Sequence, residues 1–181
     1  EFYLFAGRLA VEKGVDTLLR AWTEHGRPEP LHIVGDGPLA RQVEAAAQAS
    51  PSIRSLGRLD RTAVLEQMRQ ARALIFPSVW YEGFPMILVE ALASGLPVIA
   101  SRLGAAAEVI EDGVTGLHVT AGSAADLAAK VDWLSRHPDA GEEMGRAARR
   151  VYEAKYTSAQ NYEQLMAIYE AACARSRRTH A

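Results

Sequence analysis

The sequence contains almost no cysteine and no long apolar run. Its single cysteine, Cys173, excludes an internal disulfide and a cysteine-based zinc site, and it weakly favours a reducing compartment. No apolar stretch reaches the roughly 18 residues that a membrane span needs, and no signal peptide is visible. These absences predict a cytoplasmic location. Because the chain begins with the strand-like segment EFYLFAGRL, we expect that more of the protein precedes it.

Neither sign of charge is in large excess. The chain has 20 Lys and Arg against 22 Asp and Glu, a net charge of −2, so its charge does not require nucleic acid or an acidic partner. A dense basic cluster near the C-terminus consists of Arg175, Arg177 and Arg178. We interpret this cluster as a solvated tail. A weak contact with the cytoplasmic face of a membrane is the minor alternative.

The short patterns of several enzyme classes are also missing. The sequence has no D-x-D, no H-x-x-x-H and no cysteine ligand set, so we expect no metal site. The five histidines are dispersed, and we interpret His32 and His118 as core or edge residues of strands. The absence of G-x-S-x-G argues against an α/β hydrolase, and the absence of G-K-[ST] excludes a Walker loop.

What the sequence does contain is a regular alternation of short apolar runs and helical patterns. With 181 residues, 49% hydrophobic and 23% charged, the chain is typical of one globular domain, residues 1–181. The order predicts an α/β fold, a Rossmann-like parallel sheet with helices on both faces. The predicted strands are residues 2–7, 31–37, 53–59, 73–78, 96–101 and 115–120. The predicted helices are residues 15–25, 38–49, 61–71, 84–94, 139–154 and 158–175, with one more after residue 123. Capping boxes at Ser123 and Asp126, and at Thr157 and Gln160, open two of them.

In such a sheet, ligands bind at the carboxyl ends of the strands, which makes the loop GRLAVEKG (7–14) a candidate. Gly7 permits a ligand to approach the backbone closely. Arg8 and Lys13 leave the end of the sheet as cations, and an arginine can hold a phosphate with two hydrogen bonds. One interpretation is a diphosphate clamp. From the spacing alone, a solvated loop with two cations is the favoured alternative.

Two further turns follow the second and third strands. GDGPL (35–39) opens a helix and suits an anion or a nucleotide, but a tight strand–helix turn explains it at least as well. GRLD (57–60) offers backbone groups to a base edge, and an N-cap at Asp60 is the equal alternative. Neither turn decides the function.

The stretch YEGFPMILVEALASG (81–95) contains a charge that is out of place. Glu90 is the only charged residue between positions 83 and 100, and an unpaired carboxylate in an apolar helix costs several kcal/mol or takes up a proton. It either binds ligand hydroxyls or has an internal partner such as an arginine. Glu82 either holds other hydroxyls or is an ordinary exposed loop acid. We expect the helix to start at Phe84 and Pro85, where free N–H groups attract phosphate; the candidate donors are Gly83, Phe84, Met86 and Ile87.

Five segments occur along the chain in a recognisable order: GRLAVEKGVDTLLRAW, IVGDGPL, LGRL, PSVWYEGFPMILVEALASGLPVIAS and EVIEDGVTGLHV. Together they resemble the C-terminal half of a retaining, family 4 (group 1) glycosyltransferase of GT-B architecture. The resemblance runs from about Phe2 to Tyr169. Its most specific part is the segment from Glu82 to Glu90, which is similar to that family's E-x7-E motif.

The resemblance implies a UDP- or GDP-sugar donor and neither a metal nor another cofactor. It implies that Arg8, Lys13 and a helix dipole take the place of a divalent ion at the diphosphate. Glu82 is then expected at the donor sugar and Glu90 at the ribose, with the base near the main chain after the third strand. The implied catalytic residues are Arg8, Lys13 and Glu82, and the implied donor-binding residues are Gly7, Arg58, Leu59, Gly83, Phe84, Pro85, Met86, Ile87 and Glu90.

The sequence departs from the family pattern in two places. Pro85 stands where many members have glycine, and GAAAE (104–108) replaces the frequent G-G-x-P-E. The resemblance also implies an N-terminal acceptor-binding domain that this chain lacks, so we expect the chain alone to be inactive. The last helix, about 158–175, is expected to pack toward that domain, with Tyr162, Met166 and Tyr169 exposed. The alternatives are a non-catalytic nucleotide-sugar-binding module and, less favoured, a GT-B phosphorylase or an epimerase.

Overall fold

The computed structural model describes the backbone of residues 1–179 and the side chains of residues 1–173. Six strands form one sheet in the order β3-β2-β1-β4-β5-β6, and every neighbouring pair is parallel. The predicted Rossmann-like fold is therefore confirmed. The strands are β1 (Phe2–Ala6), β2 (Leu31–Val34), β3 (Ile53–Gly57), β4 (Ala71–Phe76), β5 (Val98–Ser101) and β6 (Gly116–Val119).

Eight α-helices connect and cover the strands within the described residues. None of them is both long enough and apolar enough to span a bilayer. A 3₁₀ turn, Val11–Lys13, precedes the first helix and was not predicted. The helices are α1 (Val15–Thr23), α2 (Ala40–Ala49), α3 (Arg61–Gln70), α4 (Met86–Ala93), α5 (Gly104–Val109), α6 (Ala124–Arg136), α7 (Pro138–Lys155) and α8 (Ser158–Thr179).

Alternate residues of the buried strands contribute to two separate hydrophobic cores, one on each face of the sheet. Tyr3 and Phe5 of β1 point to one face of the sheet, where they pack with residues of α1 and α6 such as Trp22. Leu4, between them, points to the other face and packs with α4 residues such as Leu92. Both faces of the central strand are buried, which explains why the strands are almost continuously apolar.

Several element boundaries differ from the predictions. Helix α4 begins at Met86 and Pro85 is its N-cap, because a residue before proline is disfavoured in the helical region and Phe84 therefore stays outside. Helix α2 begins at Ala40, two residues after Pro38. The segment 104–109, which we did not assign to an element, forms α5.

The predicted side-chain N-caps are confirmed, but the capping box at Ser123 lacks its reciprocal bond, because the N–H of Ser123 donates to the carbonyl of Thr120. Asp60 Oδ1 accepts a hydrogen bond from the N–H of Ala63 at 2.8 Å. Ser123 Oγ accepts from the N–H of Asp126 at 3.2 Å, and Thr157 Oγ1 accepts from the N–H of Gln160 at 3.3 Å. Each cap satisfies a backbone donor that the first turn of a helix leaves free.

Helix α8 projects from the domain. Residues 161–173 are all exposed, among them Tyr162, Met166 and Tyr169, as predicted. The backbone of α8 continues through the basic cluster, whose side chains lie outside the described residues. The expectation that this helix packs on another domain stays a prediction.

The strand order places β1 beside β4, so the loops that follow these two strands meet. Gly14, at the end of the first loop, has φ = 72° and lies against the backbone just after β4. A Cβ at this position would lie 1.9 Å from the carbonyl oxygen of Pro77. The contact leaves no room for a side chain and holds the two loops together.

We therefore expect Gly14→Ala to destabilise the domain more than Gly122→Ala, because φ is 72° at Gly14 and 78° at Gly122. Both variants carry the left-handed strain of about 1–2 kcal/mol. Only the first also creates a clash, since a Cβ at Gly122 would meet nothing within 4 Å. Urea denaturation should give an unfolding free energy at least about 2 kcal/mol lower for Gly14→Ala than for Gly122→Ala. Equal losses would contradict the close packing of the two loops.

Candidate functional site

A cleft of about 820 Å³ opens at the carboxyl edge of the sheet, between β1 and β4, where the order of the strands reverses. This is the switch point at which open α/β sheets bind ligands. The loops after β1, β2, β3 and β4 all contribute to its walls. Ten of the twelve predicted site residues line it: Gly7, Arg8, Lys13, Arg58, Leu59, Glu82, Pro85, Met86, Ile87 and Glu90.

Gly83 and Phe84 are the two predicted residues that do not line the cleft. Phe84 is exposed and its ring lies 6.1 Å from the ring of Tyr156, on the outer side of α4. Burial, and secondarily the Glu108 carboxylate, raises the pKa of the Tyr156 hydroxyl. Because Pro85 keeps Phe84 out of the helix, the side chain of Phe84 faces away from the cleft.

Glu82 is held inside the cleft and is not an ordinary exposed loop acid. Its Oε1 accepts a hydrogen bond from Lys13 Nζ at 2.6 Å and another from Ser78 Oγ at 3.0 Å. The side chains of Lys13 and Glu82 are 28% and 18% exposed. The alternative of a solvated loop with two cations does not describe Lys13, which is paired across the cleft, although Arg8 is exposed.

Ser78 joins the two loops that carry this pair. It is 2% exposed, and its hydroxyl lies 2.9 Å from the carbonyl oxygen of Glu12 as well as 3.0 Å from Glu82 Oε1. The N–H of Val79 donates to the same Glu12 carbonyl at 3.0 Å. Backbone and side chain together therefore fix the loop after β4 to the 3₁₀ turn after β1.

Glu90 has an internal partner. Arg61 Nε, in the first turn of α3, donates to Glu90 Oε1 at 3.0 Å. The Glu90 side chain is 20% exposed and that of Arg61 is 77% exposed. The carboxylate is thus neither unpaired nor enclosed in the apolar core, and the interpretation with an arginine partner describes the structure.

Other charges of the cleft remain available. Within the described residues, neither Arg8 nor Arg58 forms an ion pair. The N–H groups of Met86 and Ile87 at the start of α4 have no acceptor in the same part of the chain. Unpaired cations and a helix N-terminus on one cleft are an arrangement that attracts an anion.

The turn GDGPL is both a tight turn and a wall of the cleft. A Cβ at Gly35 would lie 1.8 Å from the carbonyl oxygen of Gly7, so the turns after β1 and β2 touch through their backbones. Asp36 Oδ1 accepts from the N–H of Gly37 at 2.7 Å, and Gly35, Asp36 and Gly37 all line the cleft. The tight-turn interpretation is confirmed, and the turn also forms part of the site.

Comparison with known proteins identifies the family. Residues 1–151 match the family model described as glycosyl transferases group 1. The chain belongs to this family.

Relatives with different activities share this domain. The D-rhamnosyltransferase WbpZ of Pseudomonas aeruginosa is 35% identical over 161 residues, which are 87% of this chain and 42% of that protein. The glycogen synthase of Mycobacterium tuberculosis is 33% identical over 153 residues, 81% of this chain and 37% of that protein. The chain therefore spans less than half the length of these two relatives.

A solved structure supports the fold. Anabaena Alr3699/HepE in complex with UDP superposes with a TM-score of 0.84 at 22% identity and covers 94% of this chain and 48% of that one. At this identity the similarity shows the fold alone. It agrees with the Rossmann-like half of a GT-B glycosyltransferase.

The sequence reasoning missed two polar residues of this glycosyltransferase domain. Arg61 and Ser78 contact the two glutamates of E-x7-E. Ser78 was detectable in principle, because it follows β4 at the ligand edge. The partner of Glu90 was not, because Arg61 is 29 residues away and belongs to another helix.

The described residues contain no group of three or more His, Cys, Asp or Glu placed to hold a metal ion. Metal independence, which the resemblance implies, stays a prediction for this chain.

The segment GAAAE, which departs from the family pattern, starts α5 beside the cleft. A Cβ at Gly104 would lie 3.2 Å from Tyr81 Cδ1, so this glycine packs directly against the residue before Glu82.

Proposed function

We propose that this chain is the donor-binding domain of a glycosyltransferase that moves a hexose from a nucleoside diphosphate sugar to an acceptor, with retention of anomeric configuration. The observation that carries the proposal is the cleft itself. It gathers Arg8, Lys13, Glu82 and Glu90 at the switch point of the sheet. Two cations and two carboxylates suit a ligand that has both phosphates and hydroxyls.

The diphosphate binds at the loop after β1 and the start of α4. Arg8 is unpaired within the described residues and can form two hydrogen bonds with a phosphate. Lys13 adds a second cation, and the free N–H groups of Met86 and Ile87 add neutral donors. Pro85 contributes no N–H, so this member relies more on side-chain cations than one with glycine at that position.

The remainder of the donor extends to both sides of the diphosphate. Glu90 accepts hydrogen bonds from the ribose hydroxyls in exchange for Arg61, and Glu82 accepts from hydroxyls of the sugar. The base lies against the main chain at Arg58 and Leu59, which line the cleft after β3. The structural neighbour was solved in complex with UDP, which supports a nucleoside diphosphate as the kind of ligand.

In the transfer step, the bond between the anomeric carbon and the diphosphate breaks and the ring becomes oxocarbenium-like. The acceptor hydroxyl oxygen bonds to the anomeric carbon on the face that the diphosphate leaves, and its proton passes to the leaving diphosphate. Negative charge grows on the leaving diphosphate, where Arg8 and Lys13 stabilise it; loss of one such electrostatic contact raises a barrier by about 3 kcal/mol. We assign Glu82 to the donor sugar and not to a covalent intermediate. The reaction takes place against an N-terminal acceptor domain, so the present chain transfers nothing alone. A cytoplasmic location, with or without membrane contact, stays a prediction.

A non-catalytic nucleotide-sugar-binding module is the second candidate, because the cleft by itself provides binding but no acceptor site. Longer forms of the protein separate the two candidates. A second Rossmann-like domain with transferase turnover supports the enzyme. Turnover with phosphate, or without an acceptor, points to a phosphorylase or an epimerase.

The first prediction of the proposal is that the chain binds UDP or GDP and transfers no sugar. Titration calorimetry up to millimolar nucleotide measures the binding, and mass spectrometry of donor and acceptor mixtures measures the transfer. Arg8→Met should weaken nucleotide binding at least about tenfold, since a hydrogen bond to a charged group is lost. Arg54→Met, at an exposed position of β3 outside the cleft, removes the same charge and should change nucleotide affinity little. Absence of binding to both nucleotides would sink the proposal.

The second prediction concerns the ribose contact. Glu90→Ala should weaken binding of the nucleotide about tenfold and binding of pyrophosphate much less, because pyrophosphate has no ribose hydroxyls. Glu44→Ala is the matched control: it removes an exposed carboxylate of α2 that does not line the cleft, so neither affinity should change. Equal losses for nucleotide and pyrophosphate with Glu90→Ala would contradict the ribose contact.

A further inference from the structure

The ion pair between Lys13 and Glu82 joins two residues that the proposed function assigns to different parts of the donor. Lys13 Nζ lies 2.6 Å from Glu82 Oε1, and both side chains are largely buried. A diphosphate that takes the ammonium of Lys13 must compete with Glu82 for it. Binding at one end of the cleft therefore changes the state of the other end.

An intact sugar nucleotide and a free nucleoside diphosphate differ in how they satisfy Lys13 and Glu82 once the ion pair is broken. An intact sugar nucleotide brings phosphate oxygens for the ammonium and hydroxyl donors for the carboxylate, so both members of the broken pair gain new partners. A free nucleoside diphosphate satisfies Lys13 alone. Glu82 is then left in a largely buried place, and a charge without its partner there is costly.

A contact with Ser78 restrains Glu82 when Lys13 moves. Ser78, almost fully buried, lies 3.0 Å from Glu82 Oε1 and 2.9 Å from the carbonyl of Glu12. Gly14, directly after Lys13, is pressed against the Pro77 carbonyl. Only the lysine has a long flexible stem, so the ammonium moves and the carboxylate stays.

We infer, on the basis of the proposed function, that the Lys13–Glu82 pair is a specificity determinant that favours the intact sugar nucleotide over the nucleoside diphosphate left after transfer. The Glu82 carboxylate disfavours the binding of a bare diphosphate and permits the binding of one that carries a sugar. The same contact therefore assists release of the product after the sugar has left.

The test is the affinity of Glu82→Gln for pyrophosphate, UDP, GDP, UDP-glucose and GDP-mannose, by titration calorimetry on this chain. Glutamine keeps the size and a hydroxyl-binding oxygen but no longer holds the ammonium. We expect pyrophosphate and the nucleoside diphosphate that the wild type binds to gain about five- to tenfold in affinity. The corresponding sugar nucleotide should gain less than about twofold, so its advantage over the nucleoside diphosphate shrinks.

A matched control separates this effect from a general loss of negative charge. Glu12→Gln removes one negative charge from the residue next to Lys13, and the Glu12 carboxylate forms no ion pair within the described residues. It should leave the ratio of the two affinities unchanged. An equal gain in both variants would overturn the inference.

A double-mutant cycle locates the effect at the pair. In a Lys13→Met background, the gain from Glu82→Gln should disappear, because no ammonium remains to be released. A gain that persists without Lys13 overturns the inference. If thermal melting shows that Glu82→Gln does not fold, Glu82→Asp replaces it, since the shorter side chain lengthens the contact and should give a smaller gain in the same direction.

The outcomes distinguish this inference from the proposal beneath it. A wild-type chain that binds no pyrophosphate, nucleotide or sugar nucleotide overturns the proposed function, and the inference with it. A wild-type chain that binds them, with a Glu82→Gln variant that gains no affinity for pyrophosphate or the nucleoside diphosphate, overturns the inference alone.

Discussion

The cleft depends on the contact between the loop after β1 and the loop after β4. These strands are neighbours in the sheet but lie about 70 residues apart in the chain, so only the folded topology brings their loops together. The contact has no space for a side chain at Gly14, and the carbonyl of Glu12 accepts a hydrogen bond from the N–H of Val79 and lies 2.9 Å from Ser78 Oγ. Lys13 lies between these fixed points, which is why it meets Glu82.

The two glutamates of E-x7-E are both paired, but the pairs differ in strength. Arg61 is 77% exposed, and an ion pair with such a partner contributes less than about 1 kcal/mol, so ligand hydroxyls can displace it at little cost. The pair of Lys13 with Glu82 has both members largely buried and a third contact from Ser78, so its exchange costs more. Displacing Arg61 from Glu90 therefore subtracts little from ligand affinity, whereas displacing Lys13 from Glu82 is where the cleft can discriminate between ligands.

Much of the fold was predictable because the physics behind it is local. Apolar runs such as ALIF and PVIA identify buried parallel strands, and the caps at Asp60, Ser123 and Thr157 follow from residue type and spacing. The start of α4 was also a local matter, since proline restricts the residue before it, and we placed it two residues early. The ion pairs were different: Arg61 reaches Glu90 only because α3 and α4 cover the same face of the sheet. No local pattern contains that information.

Helix α8 carries apolar residues that the rest of the described domain does not bury. Its residues 161–173 are all exposed, and Tyr162, Leu165 and Tyr169 follow a helical spacing that makes one apolar stripe. A helix gains most of its stability from packing such a stripe, so α8 receives little support from the rest of this chain. The two relatives described above are more than twice as long as the part that this chain matches. We propose that this stripe packs against the acceptor domain of the proposed function, which would place α8 between the two domains.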